Sequence, residues 1–263
     1  MKEAKLTAVK FYNSSETYLH ILEERNESNF SSLLEVLTSY TAPGTTLDYG
    51  CGVGQLSMLL ARRGYAVTGV DISEQFIDAA KKKFGAQPSV VFEVIDGLPL
   101  KFLAESFESI VTSSVLEHCT DVDSILLEFK RLLRPNGVVV IETPNMLSPF
   151  SRLKLIVDRM KGSRKKFHQY GTPTFFFTSL FYLLKKMILR RWEFIYVAPN
   201  YSDFEEADED VTFLSNPLDY LFFFRAHGFE VLELSRNKGV FRKIISKYLP
   251  YLAGGVMVVA RKQ

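Results

Sequence analysis

The sequence predicts an α/β fold, a doubly wound and mostly parallel sheet of seven strands with helices on both faces. From residue 45 onward, short apolar segments alternate with segments of helical periodicity, which is typical of a parallel sheet. Pro43-Gly44 precedes this alternation, which fails between about residues 146 and 214. The apolar segments lie at 46–49, 66–70, 90–94, 109–113, 138–142, 229–235 and 255–260.

The helical segments are recognised by apolar residues that recur on one side. The clearest is 122–133, where Ile125, Leu126 and Phe129 share a face, and Pro135-Asn136-Gly137 is expected to end it. Gly228 has the position of a C-cap after the last helix. The other helical patterns lie at about 17–24, from 28 or 29 to 40, and at 55–63, 74–84 and 217–227.

Composition indicates a soluble protein with one large domain or one domain carrying an insertion. Of 263 residues, 47% are hydrophobic and 24% are charged, and a net charge of +2 gives no global attraction to nucleic acid. Cys51 and Cys119 form neither a disulfide framework nor a metal-ligand spacing. Residues 1–10 lack the apolar core of a secretory signal. The sequence therefore predicts a cytoplasmic protein with reduced thiols.

Gly50, Gly52 and Gly54 occupy alternate positions directly after the first apolar segment. Glycines there let the backbone turn tightly and approach a ligand without interference from Cβ atoms. The helix that follows would direct free N–H groups at that ligand, as in nucleotide sites. Gln55 stands where the dinucleotide fingerprint G-x-G-x-x-G has glycine, which disfavours a nicotinamide-dependent oxidoreductase.

Carboxylates follow the second and third predicted strands. Asp71 lies 19 residues after Gly52, where it could accept both hydroxyls of a ribose. The alternative is that Asp71 caps the helix beginning at residue 73 or 74. Asp96-Gly97 could accept a hydrogen bond from an adenine amine, or it could be a simple turn.

An ordered series of four motifs carries a family resemblance. It consists of Leu47-Asp48-x-Gly50-Cys51-Gly52-x-Gly54, Gly69-Val70-Asp71-Ile72-Ser73, Leu116-Glu117-His118 and Leu133-Arg134-Pro135-Asn136-Gly137. The series resembles the Rossmann-like class I S-adenosylmethionine-dependent methyltransferases, and most of all the branch with ubiquinone-biosynthesis O-methyltransferases and many small-molecule methyltransferases. The resemblance covers 45–145 well, covers 217–260 loosely, and does not extend to the insertion.

The resemblance implies S-adenosylmethionine as cofactor and S-adenosylhomocysteine as product. The family pattern implies that the glycine turn lies against the methionine portion of the cofactor, that Asp71 holds its ribose and that Ile72 packs on its adenine. Asp96-Gly97 lies at the adenine edge, Thr112-Ser113 lies near the amino-acid end, and two N-terminal tyrosines close over the cofactor. The implied cofactor-binding residues are Tyr12, Tyr18, Gly50, Cys51, Gly52, Gly54, Asp71, Ile72, Asp96, Gly97, Thr112 and Ser113.

His118 is the candidate general base, because it follows the fourth strand, where acceptor and cofactor meet in similar enzymes. Glu117 and His118 are also candidate acceptor-binding residues, with His168 of the insertion as a further candidate. An acid and a histidine in this segment can hold a divalent metal in similar enzymes, but two ligands are too few, and no metal is predicted. Alternatively, His118 caps or packs near the next helix. His227 is expected at a helix end, where a cation suits the dipole.

The insertion is rich in aromatic and basic residues. Residues 152–191 contain eleven basic residues and one acid, and residues 203–210 contain six acids. Lys185-Lys186 interrupts the apolar run, so it is not a transmembrane helix. Because insertions after the fifth strand lie beside the ligand-binding edge of the sheet, 146–215 is interpreted as a substrate lid. Peripheral membrane contact through 152–191 and a purely structural or oligomer surface are the alternatives.

The expected organisation has three parts. Residues 1–44 form helices that cover the cofactor site, 45–145 with 216–263 form the methyltransferase core, and 146–215 form the lid. The predicted function is in-line transfer of a methyl group to oxygen of a small-molecule, lipid-linked or saccharide-linked acceptor. The alternatives are N-methylation and a catalytically silent S-adenosylmethionine-binding or interaction protein. A nucleic-acid partner is not expected, and the acceptor and the oligomeric state are not predicted.

Overall fold

The computed structural model describes residues 2–160, 172–199, 201, 210–234, 250–252 and 254–263. The chain divides into two units. The first comprises Met1–Val115, Thr120–Ile141 and Arg261–Gln263, and the second comprises Leu116–Cys119 and Glu142–Ala260. The expected three-part organisation stays a prediction.

The described strands form a seven-stranded, mostly parallel sheet and a separate antiparallel pair. In chain order they are β1 Thr45–Tyr49, β2 Ala66–Asp71, β3 Val90–Val94, β4 Phe107–Ser113, β5 Leu133–Pro144, β6 Ile195–Tyr196, β7 Phe213–Leu214, β8 Phe229–Leu234 and β9 Gly255–Lys262. The large sheet has the order β3-β2-β1-β4-β5-β9-β8, and β6 pairs with β7.

The described helices begin at the chain's start and then alternate with the strands. They are α1 Lys2–Ser14, α2 Glu16–Glu23, α3 Glu27–Tyr40, α4 Gln55–Ala61, α5 Glu74–Phe84, α6 Val122–Leu132, α7 Pro149–Met160, α8 Pro173–Leu189 and α9 Pro217–Ala226. Short 3-10 helices occupy Leu116–His118 and Pro250–Leu252. Side-chain caps begin several of them: Ser73 Oγ accepts from the Phe76 amide at α5, and Asn216 accepts from the Leu218 amide at α9.

The strands of the first unit bring their carboxyl ends together. β1 pairs in parallel with β2 and β4, and β2 pairs in parallel with β3. Tyr49 at the end of β1 lies opposite Val70, and Asp71 at the end of β2 lies opposite Val94. Because parallel strands point one way, the segments that follow β1 to β4 share one edge of the sheet, where ligands bind in such folds.

The predicted fold class is confirmed, and most predicted elements lie within one or two residues of the observed ones. The largest difference concerns β5, which begins at Leu133 rather than at residue 138. Pro135-Asn136-Gly137 therefore lies inside the strand, and α6 already ends at Leu132. The steric effect of Pro135 explains this, since it disfavours helical backbone at Arg134. Ser235, the predicted end of β8, lies outside the described residues.

The helix α1 was missed by the sequence analysis. Its buried residues Ala8, Phe11 and Tyr12 have helical spacing, yet the segment has few apolar residues to display a full stripe. α1 packs on α5, where the rings of Tyr12 and Phe76 lie 6.1 Å apart between centroids. Tertiary packing thus supports a helix that the local pattern signals weakly.

The second unit has a core of its own around the β6–β7 pair. Met146, Leu147, Val211 and Leu214 are buried together, and partly buried side chains from the adjoining helix and strand pack against them: Phe175, Tyr182, Ile195 and Val197. The helices α7 and α8 contact each other. The chain after β5 therefore continues into an independently packed helical and β substructure.

Candidate functional site

The turn after β1 requires glycine at three positions. Gly50, Gly52 and Gly54 have φ values of 74°, 53° and 81°. Residues with a Cβ atom rarely adopt this backbone region. A Cβ on Gly50 would overlap the methyl groups of Val115, and a Cβ on Gly54 would lie 2.6 Å from Cζ of Phe92. The turn therefore packs backbone directly against side chains, and it ends at Gly54, the N-cap residue of α4.

Gln55, the residue that replaces a fingerprint glycine, joins α4 to the N-terminal helices. Its Nε2 donates to the carbonyl oxygen of Leu22 at 2.7 Å, within the last turn of α2. Leu22 is also the nearest side chain to the Cβ position of Gly52, at 3.2 Å. The end of α2 therefore lies over the glycine turn.

Asp71 binds the glycine turn through its carboxylate. Oδ2 accepts from the Gly52 amide at 2.9 Å, and Oδ1 accepts from the Ser73 amide at 3.0 Å. Burial raises the pKa of Asp71, and the hydrogen bonds from these amides oppose that rise. Because Ser73 supplies the side-chain cap of α5, Asp71 is not the cap residue. Asp71 instead fixes the turn after β2 against the turn after β1.

Asp48 is a second buried carboxyl beside the turn, and the sequence analysis gave it no role. Its side chain is 1% exposed, and Oδ2 accepts from Ser57 Oγ of α4 at 2.6 Å. The net pKa of Asp48 is raised to about 7: burial is the largest cause, the hydrogen bond from Ser57 opposes the rise, and the nearby Asp71 carboxylate adds to it. The available signal was a carboxyl group between Leu47 and Tyr49 in a strand predicted to be buried.

Tyr12 and Tyr18 form an aromatic group on the first turn of α5. Their ring centroids lie 5.3 Å apart, and the Tyr18 ring stacks on Phe76 at 6.3 Å. Ser73 Oγ donates to the carbonyl oxygen of Tyr12 at 3.0 Å, so α1 is bound two residues beyond Asp71. The structure therefore brings both tyrosines close to the β2 turn.

The remaining predicted cofactor residues also lie at or next to the ends of strands. Ile72 is half-buried after β2, Asp96 is exposed after β3, and Gly97 has a φ of 102°. Ser113 ends β4 and is half-buried, whereas Thr112 is buried. Within the described residues, Thr112 Oγ1 has no hydrogen-bond partner. Cys51 is buried too, and burial raises the pKa of its thiol well above the ordinary value, which disfavours a reactive thiolate.

Glu117 and His118 belong to a buried polar cluster within the second unit. Glu117 Oε2 accepts from Thr143 Oγ1 at 2.8 Å, and its backbone oxygen accepts from the Thr212 amide at 2.8 Å. His118 Nε2 lies 4.0 Å from Glu117 Oε1. His118 Nδ1 lies 3.1 Å from Asp210 Oδ2. One imidazole is thus flanked by two buried carboxylates.

Asp210 and Tyr220 complete this cluster, and the sequence analysis missed both. In the sequence, Asp210 is one of the six acids of 203–210, and nothing links it to His118, which lies 92 positions earlier. Tyr220 is fully buried, and burial followed by the charge of Glu117 raises the pKa of its phenol well above the ordinary value. Its hydroxyl has no hydrogen-bond partner in the part of the chain that the structure describes.

Among the described residues, no group of three or more His, Cys, Asp or Glu side chains has an arrangement that could hold a metal ion. His168 lies outside the described residues. His227 caps the end of α9 and stacks on Phe223 at 4.1 Å, so its expected place at a helix end is confirmed.

Comparisons with known proteins agree with this architecture. Residues 47–141 match the family described as Methyltransferase domain. The chain is 35% identical over 100 residues to a ubiquinone biosynthesis O-methyltransferase of Sinorhizobium fredii, and 37% identical over 100 residues to one of Coxiella burnetii. Each match covers 38% of this chain and 40% or 43% of the relative, so the chain spans less than half the length of these relatives.

The fold is similar to that of an S-adenosylmethionine dependent methyltransferase from Mesorhizobium loti, with a TM-score of 0.58 at 17% identity. The similarity covers 92% of this chain and all of that chain. The fold and the family match together define a methyltransferase domain of Rossmann-like architecture. Residues 47–141 form a methyltransferase domain, and the predicted Rossmann-like fold of S-adenosylmethionine-dependent methyltransferases is confirmed.

The residues at the sheet edge fit this cofactor. The glycine turn offers backbone without Cβ atoms, and Asp71 lies beside it on the next strand. The Thr112 hydroxyl on β4 has no hydrogen-bond partner among the described residues. A cofactor with hydroxyl, amino and carboxylate groups needs this mixture of acceptors, amides and close backbone approach. The assignment of individual binding residues stays a prediction.

Proposed function

We propose that this protein transfers a methyl group from S-adenosylmethionine to an oxygen atom of a small-molecule acceptor. The observation that carries the proposal is the glycine turn that Asp71 binds through the Gly52 amide. The relatives named as O-methyltransferases support oxygen as the acceptor atom. When bound, S-adenosylmethionine supplies a methyl group on a sulfonium, which is activated for displacement.

In this proposal, the first unit holds the cofactor. Asp71 accepts from the ribose hydroxyls, and its existing bonds to the Gly52 and Ser73 amides keep the carboxylate in one orientation. The turn of Gly50, Gly52 and Gly54 allows close approach of the methionine portion. Tyr12 and Tyr18, which pack on α5 beside this edge, exclude water from the ribose.

His118 is the general base in this proposal. His118 faces Asp210 through Nδ1, and a proton held there leaves Nε2 as the acceptor for a hydroxyl proton. Asp210 orients the ring and stabilises the imidazolium that forms. Glu117 lies on the other side, where its carboxylate favours the same charge. A phenolic hydroxyl, with a pKa near 10, benefits from such a base, because the oxygen is a better nucleophile once deprotonated.

Calorimetry with S-adenosylmethionine tests the cofactor half of the proposal. We expect binding of S-adenosylmethionine and none of NADH; binding of NADH alone would overturn it. Asp71→Ala should weaken cofactor binding by a hundredfold or more, the value of about two charge-assisted hydrogen bonds. Asp78→Ala is the matched control, an exposed acid on α5. Equal affinity for the wild type and Asp71→Ala would refute the ribose assignment.

Release of S-adenosylhomocysteine over a panel of phenolic, alcoholic and amine acceptors tests the chemistry. His118→Asn should lower kcat by roughly 10²–10⁴ on a hydroxyl acceptor and leave cofactor affinity within twofold. His20→Asn, on the exposed face of α2, should change neither quantity. Turnover confined to amines would favour N-methylation. Cofactor binding without turnover on any acceptor would favour the catalytically silent alternative.

A further inference from the structure

The helix α8 exposes several large apolar side chains and buries two polar ones. Phe177, Phe181 and Ile188 are 65%, 61% and 77% exposed, and with Leu184 they follow helical spacing along one face. The opposite face buries Ser179 and Lys186 together with Leu183. An ordinary surface helix has the reverse arrangement, with its apolar stripe turned to the core.

Buried contacts fix α8 in this orientation. Lys186 Nζ donates to Asp219 Oδ1 at 2.6 Å and to the backbone oxygen of Glu193 at 2.6 Å. Asp219 Oδ1 also accepts from the Glu193 amide at 2.9 Å. Rotating the helix to bury Phe177 and Phe181 would leave the carboxylate of Asp219 buried without its cation. The apolar face is therefore held outward by a buried ion pair.

The neighbouring helix α7 has an exposed apolar stripe as well. Phe150, Leu153, Val157 and Met160 are exposed at positions spaced by three or four residues. α7 and α8 contact each other within the second unit, so the two stripes lie on neighbouring helices. We call the two exposed stripes together the hairpin face. Large exposed apolar surfaces on soluble domains mark interaction sites.

The charge of the hairpin indicates which partner the hairpin face contacts. In sequence, residues 152–191 carry eleven basic residues and one acid, although Lys186 is buried against Asp219, and Lys154 and Lys185 are paired with acids. Arg190 and Arg191 are exposed at the end of α8. Two copies of a segment with this excess of positive charge would repel each other, whereas an anionic lipid surface attracts the segment and accepts apolar side chains below the headgroups. In the described part of the chain, no helix is long and apolar enough to cross a membrane.

We propose that the hairpin face binds the surface of an anionic phospholipid bilayer, with Phe177 and Phe181 inserted at the boundary between headgroups and acyl chains. Arg190 and Arg191 contact the lipid phosphates. This association is interfacial and reversible, because it combines a limited apolar area with charge attraction. It extends the proposed function without depending on it, since vesicle binding requires neither cofactor nor acceptor.

Sedimentation of the full chain with phospholipid vesicles tests the proposal. We expect binding to vesicles containing 30% phosphatidylglycerol in phosphatidylcholine, and at least tenfold weaker binding to phosphatidylcholine alone. Raising the salt concentration to 0.5 M should weaken binding to the vesicles that contain phosphatidylglycerol, because salt screens the charge attraction. Equal binding to both vesicle types, or to neither, would overturn the proposal.

Paired variants separate the apolar and the charged contributions. Phe177→Ser/Phe181→Ser should weaken vesicle binding at least tenfold, and Arg190→Gln/Arg191→Gln should weaken it about 30-fold. The controls are Leu103→Ser and Lys81→Gln/Lys82→Gln, exposed residues of the first unit that should leave binding unchanged. Circular dichroism checks that each variant is folded.

Sedimentation velocity and calorimetry distinguish the other outcomes. If the wild type is a dimer and Phe177→Ser/Phe181→Ser is a monomer, a second copy of the chain occupies the hairpin face. That result would overturn the lipid assignment. Absence of vesicle binding together with intact S-adenosylmethionine binding would overturn this inference alone, and the proposed methyltransferase function would stand.

Discussion

Replacing Asp48 by asparagine should stabilise the protein at and above neutral pH. The Asp48 carboxyl is buried below the glycine turn, and its pKa rises from 3.8 to about 7. Between these values the unfolded chain has lost the proton and the folded protein keeps it, so stability falls as the pH rises from about 4 to 7. Each pH unit in that interval is worth about 1.36 kcal/mol, and the total loss is about 4 kcal/mol above pH 7.

The asparagine side chain has no charge to bury, and its amide oxygen can still accept the Ser57 hydroxyl. Urea denaturation at pH 5 and pH 8 without added ligand measures the effect. The wild type should lose stability between the two values, and Asp48→Asn should lose about 3 kcal/mol less. Asp78→Asn, an exposed carboxyl on α5, is the control and should keep the wild-type profile. An unchanged pH profile in Asp48→Asn would refute a buried, protonated carboxyl at this position.

Two further substitutions test the packing of each unit by urea denaturation. Gly54→Ala should destabilise by about 2–4 kcal/mol, because its φ of 81° and a Cβ 2.6 Å from a buried ring both oppose a side chain. Gly255→Ala, with no atom of the described residues within 4 Å of its Cβ position, should cost under about 1 kcal/mol, and equal losses would contradict the steric account. Lys186→Met should destabilise by about 3–5 kcal/mol at pH 8, because Asp219 loses its buried cation. Lys185→Met, whose ion pair is partly exposed, should cost under about 1 kcal/mol; similar values for the two lysines would refute the buried pair.

The glycine turn and its contact with Asp71 could be predicted because their signals are local. Tight turns at Gly50, Gly52 and Gly54 need residues without Cβ atoms. Because one helix separates β1 from β2, the end of β2 lies at a predictable distance along the chain from the glycine turn, and Asp71 occupies that position. The parallel pairing of β1 with β2 then brings the two turns together, and the Gly52 amide reaches Asp71. Short-range spacing and the geometry of a parallel sheet were sufficient here.

The role of Asp48 was missed for a different reason. Its position in the motif was visible, but the rise of its pKa depends on burial under α4 and on the charge of Asp71. Burial of one atom is a property of the folded packing, and a sequence pattern indicates only that a strand is apolar on average.

By itself, the sequence determined the α/β class, the glycine turn and the cofactor family, since each of these depends on residues that are neighbours along the chain or lie at a fixed repeat. The tertiary structure decided that Asp210 faces His118, that Lys186 is buried against Asp219, and that α8 therefore turns Phe177 and Phe181 outward. These contacts join residues far apart in sequence or invert the ordinary polarity of a helix. Hydrophobic periodicity locates an apolar face, but only the packed neighbours and their charges decide whether that face turns to the core or to the outside.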